Sequence, residues 1–390
     1  MGESHIDIQR LTHASFAALR AGDSEKARNG FEQVVALGQA DTSHWLGLAH
    51  ACFRSGDHAA ALGAADKALE LQPRNLRALI LKGDCLHNQG KPRQSVECYQ
   101  YALKLAATVA DVPDDIRQGL TRAQKACASQ VGEYQTFLLE RLKAEGFSPA
   151  ASHSRFQESL DLMFGRKTIY FQQPRRYYYP GLPQIQFYER DRFNWVTGVE
   201  DKTDQIRAEL SAVMEDPARF SPYVKSGDSV LGKDNQGMDD NESWGALYLW
   251  DYGRLVPENA AIFPTTLEAL AAAPLPDIPG QAPMALFSKL SPDTKIPPHH
   301  GLLNTRLICH LPLIVPENCG ALRVGNEQRP WAEGKLLIFD DSIEHEAWND
   351  SQQERVILLF EIWRPEIGED ERELIRAMLT AVKAYNERRD

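Results

Sequence analysis

Apolar and small residues recur along the first third of the chain with a fixed step. Gly22, Gly56 and Gly90 are 34 residues apart, and the same step joins Ala27, Ala61 and Ser95, then Phe31, Ala65 and Tyr99, then Val34, Ala68 and Ala102. It also joins Leu11, Trp45 and Leu79, and Ser15, Ala49 and Gly83, with Leu37, Leu71 and Leu105 closing each unit. This pattern predicts paired helices. Small residues at one phase let the first helix of a pair approach the second, and the glycine takes a turn conformation that a Cβ would obstruct. Pro73 punctuates the end of the second unit. Three units fit, over 8–41, 42–75 and 76–109. Residues 114–146 continue as a long helix with Ile116, Leu120, Ala123, Ala126, Cys127 and Val131 on one face, which predicts a cap and a link to the next domain.

From about 150 the pattern changes. Residues 168–198 are aromatic and Pro-rich, an amphipathic helix follows over 200–215 (Ile206, Leu210 and Val213 on one side), and the polar Gly/Asp/Asn-rich stretch 216–241 predicts a mobile loop. Short β-type runs then appear at 246–250, 285–290, 305–315, 336–339 and 356–363, separated by turn residues. That arrangement predicts a jelly-roll or cupin-like double sheet. A last helix over 369–389 has acids at its start and arginines at its end, matching the helix dipole. Its stripe of Leu374, Ile375, Met378, Leu379, Val382 and Tyr385 predicts packing or a homodimer contact. The expected organisation is therefore a repeat domain over 1–110, a linking helix over 111–150 and a β-rich domain over 151–390.

Composition changes this picture little. The chain has 390 residues, long enough for two cores, and is 43% hydrophobic and 25% charged. Its formal charge of −11 argues against nucleic acid or an anionic membrane as the main partner, since both need a basic face. Six cysteines (Cys52, Cys85, Cys98, Cys127, Cys309 and Cys319) show no CxxC spacing and are expected as reduced thiols. No apolar run is long enough for a transmembrane segment, the first residues lack a signal-peptide core, and Ile6 makes Met-Gly a poor myristoylation start. A cytoplasmic protein is expected.

Two features point to chemistry. In the 355–363 run, period two puts Arg355, Ile357, Leu359, Glu361 and Trp363 on one face, and an arginine on an apolar inward face requires a buried anion. Four histidines (His299, His300, His310 and His345) fall within the β-rich region. Neutral imidazole suits iron, and a non-haem iron(II) oxygenase needs two histidines, often a carboxylate, and open positions.

The stretch Pro298-His299-His300-Gly301-Leu302-Leu303-Asn304-Thr305-Arg306-Leu307-Ile308-Cys309-His310-Leu311 resembles the proximal motif of the aspartyl/asparaginyl β-hydroxylase family. Residues 331–348, with Asp340, Asp341 and His345, resemble its distal motif, and Arg355 follows His345 by ten residues as in the family. The resemblance spans about 165–367 and is densest over 284–365; residues 8–109 resemble the tetratricopeptide repeat. It implies a double-stranded β-helix oxygenase using Fe(II), O2 and 2-oxoglutarate to hydroxylate the β-carbon of an Asp or Asn in a peptide or protein. His299 and His345 are the implied iron ligands, with His300 as the alternative to His299. Gly301 stands where other oxygenases have an aspartate, and Asp341 is the implied carboxylate orienting water at the vacant position. Arg355 is implied to pair with the distal carboxylate of 2-oxoglutarate, with Ser288 as hydroxyl partner. Trp244 matches a family tryptophan near the cofactor. His310 is either a pocket donor beside the cosubstrate or a core histidine.

Ile308 departs from the family, which commonly has an arginine there. A mere turn is the alternative for Asp340 and Asp341, and Trp331 and Trp348 are read as core. Rival outcomes are hydroxylation of a lipid acyl chain or small metabolite, halogenation with a halide beside Gly301, and a repeat scaffold carrying an inactive oxygenase domain. The repeats either dock a peptide in a concave groove or brace the fold.

Overall fold

The 34-residue step becomes three pairs of helices. In the computed structural model, which describes residues 2–148, 154–225 and 237–388, these are α1 (Gly2–Ala21) with α2 (Ser24–Ala36), α3 (Thr42–Arg54) with α4 (His58–Leu71), and α5 (Leu76–Asn88) with α6 (Pro92–Ala106). Gly22, Gly56 and Gly90 turn each pair at φ of +86°, +83° and +73°, the left-handed region that excludes most side chains. The small residues work as expected. A Cβ on Gly83 would lie 2.4 Å from the Tyr99 ring, and one on Gly30 would lie 2.1 Å from Ser15 Oγ. Asp23 and Asp57 cap the second helices of the first two pairs by accepting from the backbone N–H of Lys26 and Ala60.

Helix α7 (Asp114–Ala144) caps the array, burying Ile116, Gly119 and Ala123. The apolar face predicted for it is only partly covered, because Val131, Tyr134 and Phe137 farther along are exposed. Helix α8 (Ser154–Met163) follows, and the chain divides into two compact units, Met1–Phe164 and Gly165–Asp390. The expected boundary at 150 and 151, much of the loop predicted over 216–241, and Arg389 of the last predicted helix lie outside the described residues. All six cysteines are free, and Cys52, Cys85, Cys309 and Cys319 are buried. No helix among the described residues is long and apolar enough to cross a membrane.

The second unit is a two-layer β structure. Its strands are β1 (Phe187–Tyr188), β2 (Ser221–Pro222), β3 (Trp244–Asp251), β4 (Arg254–Leu255), β5 (Ala285–Leu290), β6 (Thr294–His299), β7 (Arg306–Ile314), β8 (Ala321–Val324), β9 (Glu327–Pro330), β10 (Leu337–Phe339), β11 (His345–Asn349) and β12 (Arg355–Trp363). Among the described residues they form an eight-stranded sheet, β1-β10-β7-β12-β5-β3-β2 with β4 beside β3, and a four-stranded sheet, β6-β11-β8-β9. Every strand pair in the two sheets is antiparallel. This is the expected double-stranded β-helix.

Strand β12 lies centrally in the large sheet, and its alternation is the one the sequence predicts. Val356, Leu358, Phe360 and Ile362 enter a core with residues of α9 (Val196–Glu200), α10 (Thr203–Met214) and α11 (Pro264–Leu270). Arg355, Ile357, Leu359 and Glu361 face the cavity between the sheets. A charged pair ties the β10–β11 turn to the end of β12: Arg364 donates to Asp340 at 2.7 Å, both fully buried, and Gln172, Ser342 and Tyr188 complete their hydrogen bonds. The last helix, Glu369–Asn386, buries Ile375 and Leu379, while Leu374, Val382 and Tyr385 of the predicted stripe are exposed. One helical face of this width exceeds what the underlying surface covers.

Candidate active site

The site grows from the pairing of two short strands in the small sheet. Strand β6 reads Thr-Lys-Ile-Pro-Pro-His and ends at His299; β11 begins at His345, and in the antiparallel register these two histidines are direct partners. A bulge follows at once between His345 and Ala347, the kind of irregularity that re-aims a side chain. The ring centroids are 4.1 Å apart. Nδ1 of His299 lies 2.8 Å from the Pro297 carbonyl and Nδ1 of His345 lies 3.0 Å from that of Ile343. Each carbonyl can only accept, so Nδ1 carries the proton and Nε2 keeps its lone pair. Burial holds both imidazoles below their ordinary pKa, His345 far below, which favours the neutral ligating form.

The turn after His299 brings Gly301 against Asp341. The Gly301 N–H donates to the Asp341 carbonyl at 2.6 Å, and the Asp341 carboxylate fills the space where a side chain on residue 301 would stand. Oδ2 faces Arg306 at 3.3 Å, and Oδ1 is buried without a partner. Burial, opposed by Arg306, raises the Asp341 pKa to about 6. Arg306 is itself clamped by Glu361 on β12. Burial alone would lower its pKa, but the Glu361 and Asp341 carboxylates outweigh this and raise it. Among the described residues no three His, Cys, Asp or Glu side chains converge as a metal cluster; the two facing imidazoles are the side chains here that could hold a metal. An anionic carboxylate beside Gly301 also works against a halide at that point.

The opposite wall belongs to the large sheet. Arg355 is 1% exposed, and its Nε and Nη2 have no acceptor. Burial lowers its pKa to about 10, so the guanidinium is still charged at neutral pH. Its face lies on the Trp331 ring at 4.7 Å, and His310 stacks beside the same ring with centroids 5.8 Å apart. His310 Nδ1 is buried without a partner, and burial together with Arg355 holds this imidazole well below its ordinary pKa. Ser288, paired with Ile357 in register, accepts from Trp244 Nε1 at 3.1 Å, which leaves its own O–H free to donate. Trp244 in turn stacks on Tyr223 at 4.2 Å.

All seven predicted site residues, His299, His345, Asp341, Arg355, Ser288, His310 and Trp244, line one cavity of about 830 Å³, and Ile308 and His300 do so too. One expectation needs extending, and one alternative falls. Trp331 is buried as predicted for core, but it is also the platform for Arg355 and His310. Asp340 is no mere turn residue, since it holds the fully buried Arg364. Sequence reading missed Tyr223, and gave Arg306 and Glu361 no role at the site. Glu361 shared the face of Arg355 in the period-two pattern, and that was the available signal.

Residues 200–365 match the aspartyl/asparaginyl β-hydroxylase family, and residues 17–75 and 53–110 match the tetratricopeptide repeat. The ornithine lipid ester-linked acyl 2-hydroxylase of Rhizobium tropici is 33% identical over 189 residues, 48% of this chain and 63% of that protein. Human aspartyl/asparaginyl β-hydroxylase is 33% identical over 146 residues, 37% of this chain and 19% of that one. Human aspartate β-hydroxylase domain-containing protein 2 is 29% identical over 228 residues, 57% and 58% of the two chains. Each alignment leaves more than a third of the relative uncovered.

Proposed function

We propose that this chain, whose residues 200–365 are an aspartyl/asparaginyl β-hydroxylase domain behind tetratricopeptide repeats, is an iron(II)- and 2-oxoglutarate-dependent dioxygenase. The observation that carries the reading is Arg355, a buried guanidinium with two unpartnered nitrogens in a cavity that also receives two facing imidazoles. An uncompensated buried cation is costly, and a dicarboxylate supplies the missing anion. Iron(II), when bound, supplies the activation of O2 that couples conversion of 2-oxoglutarate to succinate and CO2 with placement of one oxygen atom in a C–H bond.

The chain's own residues prepare that chemistry. His299 and His345 offer Nε2 to the metal, with their tautomers fixed by the Pro297 and Ile343 carbonyls. Arg355 and the Ser288 hydroxyl hold the distal carboxylate of the cosubstrate, and His310 and Trp331 wall it in. Asp341 orients water on the side that Gly301 leaves without a ligand. Trp244 and Tyr223 exclude bulk water from the cosubstrate side.

The favoured substrate is the β-carbon of an Asp or Asn in a polypeptide, docked in part by the repeats. A second reading, hydroxylation of a lipid acyl chain, has the Rhizobium tropici relative in its favour. It also has an adjoining cavity of about 470 Å³ with Leu303, Trp363, Met378 and Leu379 in its wall. Mass spectrometry of proteins and lipids from cells with and without the chain tests the choice. A +16 shift on Asp or Asn residues is expected, a +16 shift confined to lipids selects the second reading, and a +34 shift in chloride marks halogenation.

A further inference from the structure

The chain carries a net charge of −11, yet among the described residues at the mouth of its cavity cations outnumber anions. Arg175, Arg176, Lys225 and His300 line that mouth; Asp251 lines it as well, while Asp341 and Glu361 deeper inside are committed to Arg306. Arg175 and Arg176 are both exposed, and among the described residues neither guanidinium has an ion-pair or hydrogen-bond partner. Elsewhere in this unit Arg190, Arg192, Arg207, Arg219, Arg323, Arg329 and Arg372 hold a carboxylate, whereas among the described residues the exposed Arg254 and Arg388, which are away from this cavity's lining, do not.

The two arginines are also held in place by their backbone. Gln173 N–H donates to the Ser342 carbonyl of the β10–β11 turn at 2.7 Å, and the chain then runs alongside the segment that follows His299, with Arg175 N–H donating to the Gly301 carbonyl at 2.9 Å and Arg176 N–H to that of Leu302 at 3.0 Å. Tyr177 bridges in parallel to Leu303, and Tyr179 N–H donates to the buried Asn304 side chain. Consecutive arginines are thereby fixed beside the glycine that follows the histidine pair. Both arginines line the same cavity as His299 and His300.

We infer that Arg175 and Arg176 form an outer anion subsite that takes carboxylates flanking the target residue of an acidic polypeptide. The inference rests on the reading of the cavity as a hydroxylation site. Unpaired rim charges act mainly on encounter and on choice of partner, and each exposed contact contributes modestly. An acidic polypeptide is favoured over an anionic membrane because a net-negative molecule is repelled by an extended anionic surface, while two arginines at a cavity mouth suit a local cluster of carboxylates.

The test uses the full chain loaded with manganese(II) and 2-oxoglutarate. Two fluorescent peptides are compared by anisotropy, one with a single Asp between runs of glutamate and one with glutamine in their place. The glutamate peptide is expected to bind about five- to tenfold more tightly at low salt, with the preference fading near 1 M salt. Arg175→Gln/Arg176→Gln should remove the preference. Equal affinity for the two peptides, or a preference that survives in the double variant, overturns the inference. Binding to phosphatidylglycerol vesicles that the double variant abolishes, without any peptide preference, overturns it in favour of a lipid surface. Calorimetry of 2-oxoglutarate on the protein loaded with manganese(II) alone separates the two levels: no binding there sinks the catalytic reading, whatever the peptides do.

Discussion

A Cβ placed on Gly301 would lie 1.9 Å from Oδ2 of Asp341. The carboxylate that a side chain at 301 could have supplied is thus replaced by one from the β10–β11 turn, and the two positions compete for one volume. Asp341 cannot swing aside freely, because its carbonyl holds the Gly301 N–H and its carboxylate faces Arg306.

Gly301→Ala should therefore destabilise the fold by about 1–3 kcal/mol through overpacking. Asp341→Ser, which shortens the opposing side chain, should recover much of that loss, so the double variant is expected to be more stable than the sum of the single effects. Urea denaturation of the four proteins measures the coupling. Strict additivity would show that the two residues do not share the space.

The histidine pair gives the second expectation. His299→Ala and His345→Ala should each weaken iron(II) binding by about a hundredfold or more and abolish iron-dependent turnover, with the repeat unit still folded by circular dichroism. His300→Ala should retain iron. Retention in His299→Ala together with loss in His300→Ala would move the ligand by one residue.

Arg355 gives the third. Arg355→Lys keeps a cation but loses the fork, so 2-oxoglutarate should bind the manganese-loaded variant about ten- to a hundredfold more weakly, a change of ~1–3 kcal/mol. Metal affinity should survive, since both imidazoles sit on the other sheet. Unchanged calorimetric affinity in both Arg355→Lys and Arg355→Ala would remove the cosubstrate from this wall.

Asp341 gives a pH dependence in the metal-free protein. Its pKa is raised from 3.8 to about 6 on folding, so the folded state holds its proton more tightly than the unfolded one. The resulting stability is fully present below pH 3.8 and lost as pH rises through about 6. Asp341→Asn cannot ionise. Its stability relative to the parent should therefore rise by about 2–3 kcal/mol between pH 4 and pH 7. Parallel unfolding profiles across that range would contradict the assignment.

The repeats and the large sheet were legible because their signals are periodic: phased glycines at 22, 56 and 90, and alternation along 355–363. The small sheet was not. Strand β6 contains Pro297 and Pro298, β9 reads Glu-Gln-Arg-Pro, and β8 has four residues, so none carries a β pattern of its own. Their pairing is a tertiary effect, and the histidines were located only through the motif around them. The partnership of Arg364 with Asp340 was equally hidden, since nothing in either neighbourhood tells one carboxylate from the next. Trp331 was read by composition as core because a sequence does not reveal that a buried ring has a guanidinium on its face.

The proposed metal-binding and anion-binding residues sit on different layers: His299 and His345 on the small sheet, Arg355, Ser288 and His310 on the large one. Between these residues lies a cavity, flanked by apolar side chains of both layers, Ile296, Leu322 and Ala347 on one side and Leu286, Ile357 and Leu359 on the other. A metal and a cosubstrate held by these two sets of residues would act as a rivet. Binding of either partner should restrict how far the layers separate, so the second should bind more tightly to the protein that already holds the first. Loss of both would leave the domain's two faces free to breathe apart, with opening detectable by hydrogen exchange first along β6 and β11.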